Sequence, residues 1–308
     1  MDAKYNFSNL ITAFKANKKV GIFGINYLDN KLDGIHLGDL ILVGARSGAG
    51  KSTISRMIAQ ANPKNTAWFC LENFRYDMIL EQCYYYYLQK TNNYDVSLRH
   101  FSGGACAKEE NWSVEFTQEI ADYGHAQFDG LSIHSRRPDF NVDKLIALMK
   151  TEVELNHKEI LIIDHLDYVD KNDPDENDIR HFTELMRAIR DLQDKHKVAV
   201  VAISHLRKPL QAKESPKIPS MDEFYGSSNK VKESTIVIMF SPDDERNEQS
   251  AMNNQNYMKS TFCCIRKLRL GGIDNKVARL SFNLRTGRYN DLYEELTVNY
   301  SGTKVGNE

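Results

Sequence analysis

The sequence predicts an α/β fold built on a mainly parallel sheet flanked by helices. Short, nearly continuous apolar runs, such as EILIID (159–164) and VAVVAIS (198–204), are typical of strands buried on both faces. They alternate with longer segments whose apolar residues recur at the spacing of a helix packed on a core. This alternation favours right-handed βαβ units, in which a helix crosses from one parallel strand to the next.

The composition is that of a folded protein with no global attraction to nucleic acid. The 308 residues are 41% hydrophobic and 27% charged, with a formal net charge of −2, so any nucleic-acid binding has to come from local basic loops. The five cysteines show no C-x-x-C spacing, and we interpret them as reduced thiols rather than a zinc site. Because no apolar run approaches the ~18 residues of a membrane span, we expect a cytoplasmic protein with no membrane partner.

The predicted elements follow in order along the chain. We predict buried strands at 39–45, 66–72, 130–135, 159–164 and 198–204, and helices at 51–61, 142–156 and 178–197. A loop with few aliphatic residues at 210–230 precedes closing strands at 234–240, 261–270 and 277–284, the last two forming an antiparallel hairpin around GGIDN. The predicted organisation is an N-terminal helix at 1–18, one domain at 19–296 and a tail at 297–308.

A glycine-rich turn, ARSGAGKST at 45–53, joins the first buried strand to its helix. Lysine followed by serine at such a junction is the pattern of a phosphate-binding loop, whose backbone N–H groups attract phosphate oxygens. In this interpretation Lys51 reaches the β- and γ-phosphates of a nucleotide and Ser52 holds Mg²⁺; the alternative is an ordinary glycine turn. The candidate nucleotide-binding residues are Ala45, Arg46, Ser47, Gly48, Ala49, Gly50, Lys51, Ser52 and Thr53.

Polar residues at the ends of other strands complete a candidate hydrolytic site. Asp164 ends EILIID and suits a carboxylate linked to Mg²⁺, while Glu72 ends TAWFCLE and suits a carboxylate that activates water. His205 follows VAVVAIS, where a group that senses the γ-phosphate is expected. A strand-capping aspartate and a structural histidine are the simpler alternatives.

In this order, these segments resemble the RecA-like core of DnaB-type ring helicases, a family that includes phage primase-helicases and the mitochondrial ring helicase. GINYLDNKLDGIHLGDLILVGARSGAGKS is similar to the segment that leads into the family's loop, which commonly starts with Ala-Arg. CLEN is similar to the segment of the catalytic glutamate, IIDHLDYV to the second acidic motif, and AISHLRKP to the segment whose polar residue couples the γ-phosphate to DNA-binding loops. The resemblance spans about residues 20–290 and implies a RecA-like P-loop NTPase fold.

The late segment CIRKLRLGG also resembles the family, in which its basic pair belongs to the neighbouring subunit's active site. Lys267 and Arg269 are two residues apart, which predicts that both face the same side of a strand. An anion between them would offset their mutual repulsion. The alternative is a solvated basic edge strand.

Two loops are candidates for contact with single-stranded DNA through its phosphates. The candidate residues are Arg207, Lys208, Lys213 and Lys217 in the first loop, and Lys230 and Lys232 in the second. The second loop, GSSNKVKEST, departs from the family, in which Gln and an acidic residue commonly follow the Gly-Ser turn. For each lysine, a solvated surface charge is the alternative.

The resemblance implies an ATP- and Mg²⁺-dependent helicase motor that assembles as a homo-oligomer, a hexameric ring, on single-stranded DNA. It also implies a primase or a helicase loader as further partner, in a phage, bacterial or organellar replication context. Two alternatives remain open at this point: a recombinase-like filament, and a nucleotide-gated switch or defence assembly that does not translocate. A metabolic P-loop kinase is disfavoured, because no lid with clustered arginines follows the second acidic motif.

Overall fold

The computed structural model describes most of the chain. The described residues are 18–93, 96–102, 117–138, 140–207, 218–224, 228–252, 258–269, 271–272, 276–298 and 305–306. The helix predicted at 1–18 therefore lies outside the described residues, except for Lys18. Among the described helices, none is both long and apolar enough to cross a bilayer.

Among the described residues, ten strands form one sheet, and a further two form a small antiparallel pair. The strands of the large sheet run in the spatial order β12-β11-β10-β9-β8-β3-β7-β6-β4-β5. The strands are β1 (Lys19–Gly21), β2 (Ile35–His36), β3 (Leu40–Ala45), β4 (Thr66–Cys70), β5 (Ser132–Ser135), β6 (Ile160–Asp164), β7 (Ala199–His205), β8 (Ile236–Pro242), β9 (Met258–Leu268), β10 (Lys276–Asn283), β11 (Arg288–Val298) and β12 (Val305–Gly306).

Helices cover the sheet. They are α1 (Asn26–Leu32), α2 (Lys51–Ala61), α3 (Arg75–Thr91), α4 (Leu98–Ser102), α5 (Gln118–Ala126), α6 (Val142–Glu154), α7 (Asp178–His196), α8 (Ser228–Glu233) and α9 (Asp244–Met252). Asparagine side chains cap the starts of two of them, since Asn141 accepts from the Lys144 amide and Asn177 from the Arg180 amide.

The parallel strands are buried on both faces, which explains their nearly continuous apolar sequence. In β3, Ile41 and Val43 belong to one apolar cluster, and Leu40 and Leu42 belong to the other. Successive side chains of a strand point to opposite faces, so the two clusters are the two halves of the core. The predicted α/β architecture, with a parallel sheet flanked by helices and antiparallel C-terminal strands, is confirmed.

The antiparallel side of the sheet is larger than the sequence predicts. The hairpin of β9 and β10 is present, with Cys263 opposite Ala278. Beyond it, β11 pairs with β10 and runs to Val298, and β12 pairs with β11. The sheet thus extends into the segment 297–308 predicted as a tail. The polar sequence of β11, RYNDLYEELTV, hides its strand character.

A buried arginine joins α2 to the turn between β10 and β11. Arg56 is 1% exposed, and its Nη2 donates to the Gly287 carbonyl oxygen at 2.7 Å. Gly287 adopts φ 65°, a conformation that residues with a Cβ rarely adopt, and a Cβ at this position would clash with the Tyr85 ring. The turn is therefore shaped by the absence of a side chain at this position.

We predict that Gly287→Ala destabilises the protein by about 1–3 kcal/mol, because the added carbon is strained and meets the Tyr85 ring. Chemical denaturation would measure the change in the free energy of unfolding. Gly272→Ala is the matched control, because no atom of the described residues lies within 4 Å of its added carbon. Equal stability of the two variants would contradict the prediction.

Candidate functional site

The candidate site lies where four parallel strands end. β3, β4, β6 and β7 are neighbours in the parallel part of the sheet, and their carboxyl ends share one edge. This brings together the loop after Ala45, the Glu72 carboxylate just beyond β4, and the ends of β6 and β7 at Asp164 and His205. The structure therefore places these sequence-predicted residues around one edge of the sheet.

The glycine-rich loop connects β3 directly to α2. Gly48 and Gly50 adopt φ values of 79° and 82°, and Gly50 caps the N-terminus of α2. The first amides of a helix have no partner within the helix and attract anions. Ala45 is fully buried in β3, where an alanine fits. The loop and α2 thus form a cradle for phosphate.

Arg46 contributes backbone to the loop, but its side chain points elsewhere. Its guanidinium pairs with the Glu223 carboxylate, with Nη2–Oε1 and Nε–Oε2 distances of 2.8 and 3.0 Å. Such a bidentate pair holds the loop to the turn at 221–223. The Arg46 amide donates to the Phe240 carbonyl oxygen at 3.2 Å, so the nucleotide contact predicted for Arg46 stays a prediction.

Lys51 and Asp164 supply opposite charges beside the loop. Burial lowers the pKa of Lys51, while Glu72 and Asp164 raise it. Burial raises the pKa of Asp164, against the lowering effects of a hydrogen bond from Ser55 and the charge of Lys51. Asp164 Oδ2 accepts from Ser55 Oγ at 2.5 Å, while Oδ1 is buried with no hydrogen-bond partner among the described residues.

That buried oxygen fits a magnesium site. Mg²⁺ prefers carboxylate and hydroxyl oxygens and keeps several of its waters, and Ser52 opens the helix that carries Ser55. Ser52 and Asp164 are therefore the residues that suit the ion and its waters. Ser55 is a site residue that the sequence interpretation missed, because a second serine one turn along a helix is not a distinctive pattern.

A second missed residue, His165, lies between Glu72 and His205. It is 3% exposed, and its Nε2 lies 2.7 Å from His205 Nε2 and 3.7 Å from Glu72 Oε2. Its Nδ1 lies 3.2 Å from Asp167 Oδ2. Burial and the neighbouring His165 and Lys51 lower the pKa of His205, which favours its neutral form. The three side chains form a contact chain from Glu72 into the protein.

Asp167 contacts both histidines and also binds a lysine from α8. Its Oδ2 accepts from the His205 amide at 2.9 Å, and its Oδ1 accepts from Lys230 Nζ at 3.0 Å. Burial opposes ionisation, but His165, Lys230 and the His205 amide together hold the pKa of Asp167 well below its usual range. Within the described part of the chain, His165, Asp167 and His205 are close enough to share a cation. Both Asp167 oxygens are already engaged, so the group is a hydrogen-bond network.

Lys230 is buried, whereas the predicted contact with DNA needs an exposed side chain. Its side chain has no exposed surface and donates to Asp167 and, at 3.0 Å, to Ser204 Oγ. Burial lowers its pKa, and the Asp167 charge raises it. An ammonium held this way is not available to a phosphate, so a direct DNA contact by Lys230 is wrong for this structure.

The predicted basic pair lies at the end of β9. Lys267 lies in β9, whereas Arg269 lies in the turn beyond the end of β9 at Leu268. Lys267 Nζ donates to the carbonyl oxygens of Val231 and Lys232 at 2.6 and 3.1 Å, at the C-terminal end of α8. Burial and the charge of Arg269 lower the pKa of Lys267, so the two cations lie near each other, and an anion shared between them stays a prediction. Arg269 is exposed.

Only some of the predicted DNA-binding residues lie in the described part of the chain. Arg207 and Lys232 are exposed, and the Arg207 amide donates to the Glu223 carbonyl oxygen at 2.6 Å. Lys208, Lys213 and Lys217 lie outside the described residues. The structure thus leaves two exposed cations as described candidates, Arg207 after β7 and Lys232 on α8.

The chain matches a family model over most of its length. The model of the DnaB-like helicase C-terminal domain covers residues 22–291. Among curated proteins, the replicative DNA helicase DnaB of Leifsonia xyli subsp. xyli is 23% identical over 220 residues. The aligned part is 70% of this chain but only 45% of that helicase, so the chain spans less than half of that relative.

Solved structures share the fold. A DnaB-like replicative helicase, described with its interactions with primase, superposes with a TM-score of 0.71 at 15% identity, covering 94% of this chain and 68% of that one. A second structure, of an ATPase domain, gives 0.68 at 16% identity, covering 94% of this chain and 100% of that domain. A KaiC-like protein, PH0186 from Pyrococcus horikoshii OT3, gives 0.53 at 14% identity, covering 87% and 97%.

Proposed function

Because the chain belongs to the family of the DnaB-like helicase C-terminal domain, we propose that it is an ATP-hydrolysing motor that moves along single-stranded DNA as a ring, in replication. The observation that carries this proposal is the convergence of the phosphate cradle, Lys51, the orphaned Asp164 oxygen and Glu72 at one sheet edge. A primase or a helicase loader is the further partner proposed on the same grounds.

Nucleotide binding uses the loop and the start of α2. The loop amides and Lys51 hold the β- and γ-phosphates, and burial of Lys51 strengthens its attraction to them. Ser52 and Asp164 hold Mg²⁺ and its waters, and Ser55 keeps the Asp164 carboxylate turned toward α2. When bound, Mg²⁺ supplies positive charge against the charge that develops on the phosphates.

Water activation is assigned to Glu72. Its carboxylate is exposed at the end of β4, so it is accessible to a water molecule between itself and the γ-phosphate. Glu72 accepts the proton of the attacking water, while His165 and His205 lie behind it. A positioned base of this kind contributes about 10²–10⁴-fold to the rate.

We assign to Arg269 of an adjacent copy the role of completing the active site. Arg269 is exposed just beyond β9, and its side chain makes no hydrogen bond or ion pair with the described residues. A guanidinium supplied from outside stabilises the charge of the transferring phosphoryl group. Lys267 supports this turn indirectly by holding the end of α8.

DNA contact is assigned to the loop after β7 and to the segment around α8. Arg207 and Lys232 are the described cations of these segments, and Lys208, Lys213 and Lys217 join the proposal from the sequence alone. Contacts to phosphates carry no base readout, which suits a motor that moves on any sequence. The buried Lys230 also favours a second candidate, a nucleotide-gated assembly that does not translocate, because it removes one predicted DNA contact.

We predict that ATP hydrolysis rises with single-stranded DNA, and more steeply than in proportion to protein concentration, because the active sites are shared between copies. Steady-state hydrolysis with and without DNA over a range of protein concentrations tests this. Lys51→Met is the background control. A rate that DNA leaves unchanged would favour the non-translocating assembly.

Glu72→Gln is expected to lower kcat for ATP hydrolysis by about 10²–10⁴-fold while keeping nucleotide affinity, because only the base is lost. Hydrolysis assays combined with titration of a fluorescent ATP analogue would measure both quantities. Glu248→Gln, an exposed carboxylate on α9, is the matched control. Full activity of Glu72→Gln would remove this residue from the mechanism.

Arg269→Ala alone is expected to lower ATP hydrolysis by about 10³-fold, as for other cations supplied by a neighbour. Mixed with inactive Lys51→Met, it is expected to recover activity, because mixed assemblies pair an intact loop with an intact Arg269. Hydrolysis rates of the mixture and of each variant alone provide the comparison. Full activity of Arg269→Ala alone would rule out the role of the neighbouring copy.

A further inference from the structure

Lys230 is the most deeply buried cation near the candidate site. Its side chain is 0% exposed, while Lys232, on the same short helix, is exposed. Lys230 Nζ is 3.0 Å from both Asp167 Oδ1 and Ser204 Oγ, and 3.4 Å from the centre of the Phe182 ring. A buried ammonium is costly unless it is paired and hydrogen-bonded. The position of α8 is therefore tied to Asp167.

Asp167 also contacts two histidines, so its pairing with Lys230 affects their positions. Its second oxygen, Oδ2, accepts from the His205 amide at 2.9 Å and lies 3.2 Å from His165 Nδ1. On the other side of the ring, His165 Nε2 lies 2.7 Å from His205 Nε2. The His165 ring is therefore held between Asp167 and His205.

The contact chain ends at the water-activating carboxylate. His165 Nε2 lies 3.7 Å from Glu72 Oε2, and His165 is buried, so its ring has little freedom to turn. Lys230, Asp167, His165 and Glu72 are thus linked by three successive contacts. A shift of about 1 Å at a catalytic group, caused by a distant substitution, is able to cost about 10²-fold in rate.

We propose that Lys230 is a positioning residue for ATP hydrolysis: through Asp167 it orients His165, which in turn orients Glu72 and His205. This inference rests on the proposed ATPase function. In this proposal Lys230, on α8, acts inside the protein and does not contact DNA. The position of α8 then sets the geometry of the hydrolytic residues.

The test compares Lys230→Met with Lys230→Gln, since both remove the charge but only glutamine keeps a donor for Asp167. We expect kcat at saturating DNA to fall about tenfold to hundredfold for Lys230→Met and less for Lys230→Gln. The KM for ATP and the DNA affinity with a non-hydrolysable ATP analogue are expected to stay unchanged. Lys150→Met, an exposed lysine on α6, is the control for loss of one positive charge.

The outcomes separate the alternatives. Weaker DNA binding by Lys230→Met with unchanged kcat would overturn the proposal and restore the DNA contact. Equal loss of kcat in the methionine and glutamine variants would also overturn it, because hydrogen bonding to Asp167 would not matter. If Lys230→Met does not fold, the double variant D167N/K230M takes its place, and unchanged kcat in that variant overturns the proposal. Absence of hydrolysis by the unaltered protein would instead refute the proposed function.

Discussion

The burial of β3 and β6 on both faces constrains the rest of the structure. Their side chains alternate between two apolar clusters, so polar groups have room only at the strand ends. The carboxyl ends of β3, β4, β6 and β7 lie at one edge of the sheet. The candidate catalytic groups that the described part of one chain supplies all lie at that edge. The candidate catalytic groups are therefore confined to the strand ends, because the apolar core excludes polar side chains from the strand interiors.

At this edge, two carboxylates differ in how many of their oxygens have hydrogen-bond partners. Asp164 keeps one oxygen without a partner among the described residues, whereas Asp167, three residues later, has both oxygens engaged. The same strand end thus offers one carboxylate for an ion and another for holding the protein together. This difference arises from their neighbours, because Ser55 approaches the first, and Lys230 and the His205 amide approach the second.

Much of the fold was accessible from the sequence, and less of the site. The buried strands, the phosphate-binding loop and the resemblance to DnaB-type ring helicases follow from apolar runs and ordered motifs, and the family model confirms that resemblance. The burial of Lys230 was not accessible, because it depends on α8 packing against α7 and β7 across a long loop. His165 and Ser55 carry no pattern of their own, and β11 is too polar to be predicted as a strand. The roles of the individual site residues remain predictions.

The position of β3 in the sheet has a consequence for synthesis of the protein on the ribosome. β3 ends at Ala45, yet its partners are β7, which begins at Ala199, and β8, which ends at Pro242. Until β8 has left the exit tunnel, a strand with no exposed side chain has at most one partner edge covered. Unpaired apolar strands are prone to aggregate, so β3 is at risk of aggregation until the residues up to Pro242 have been made.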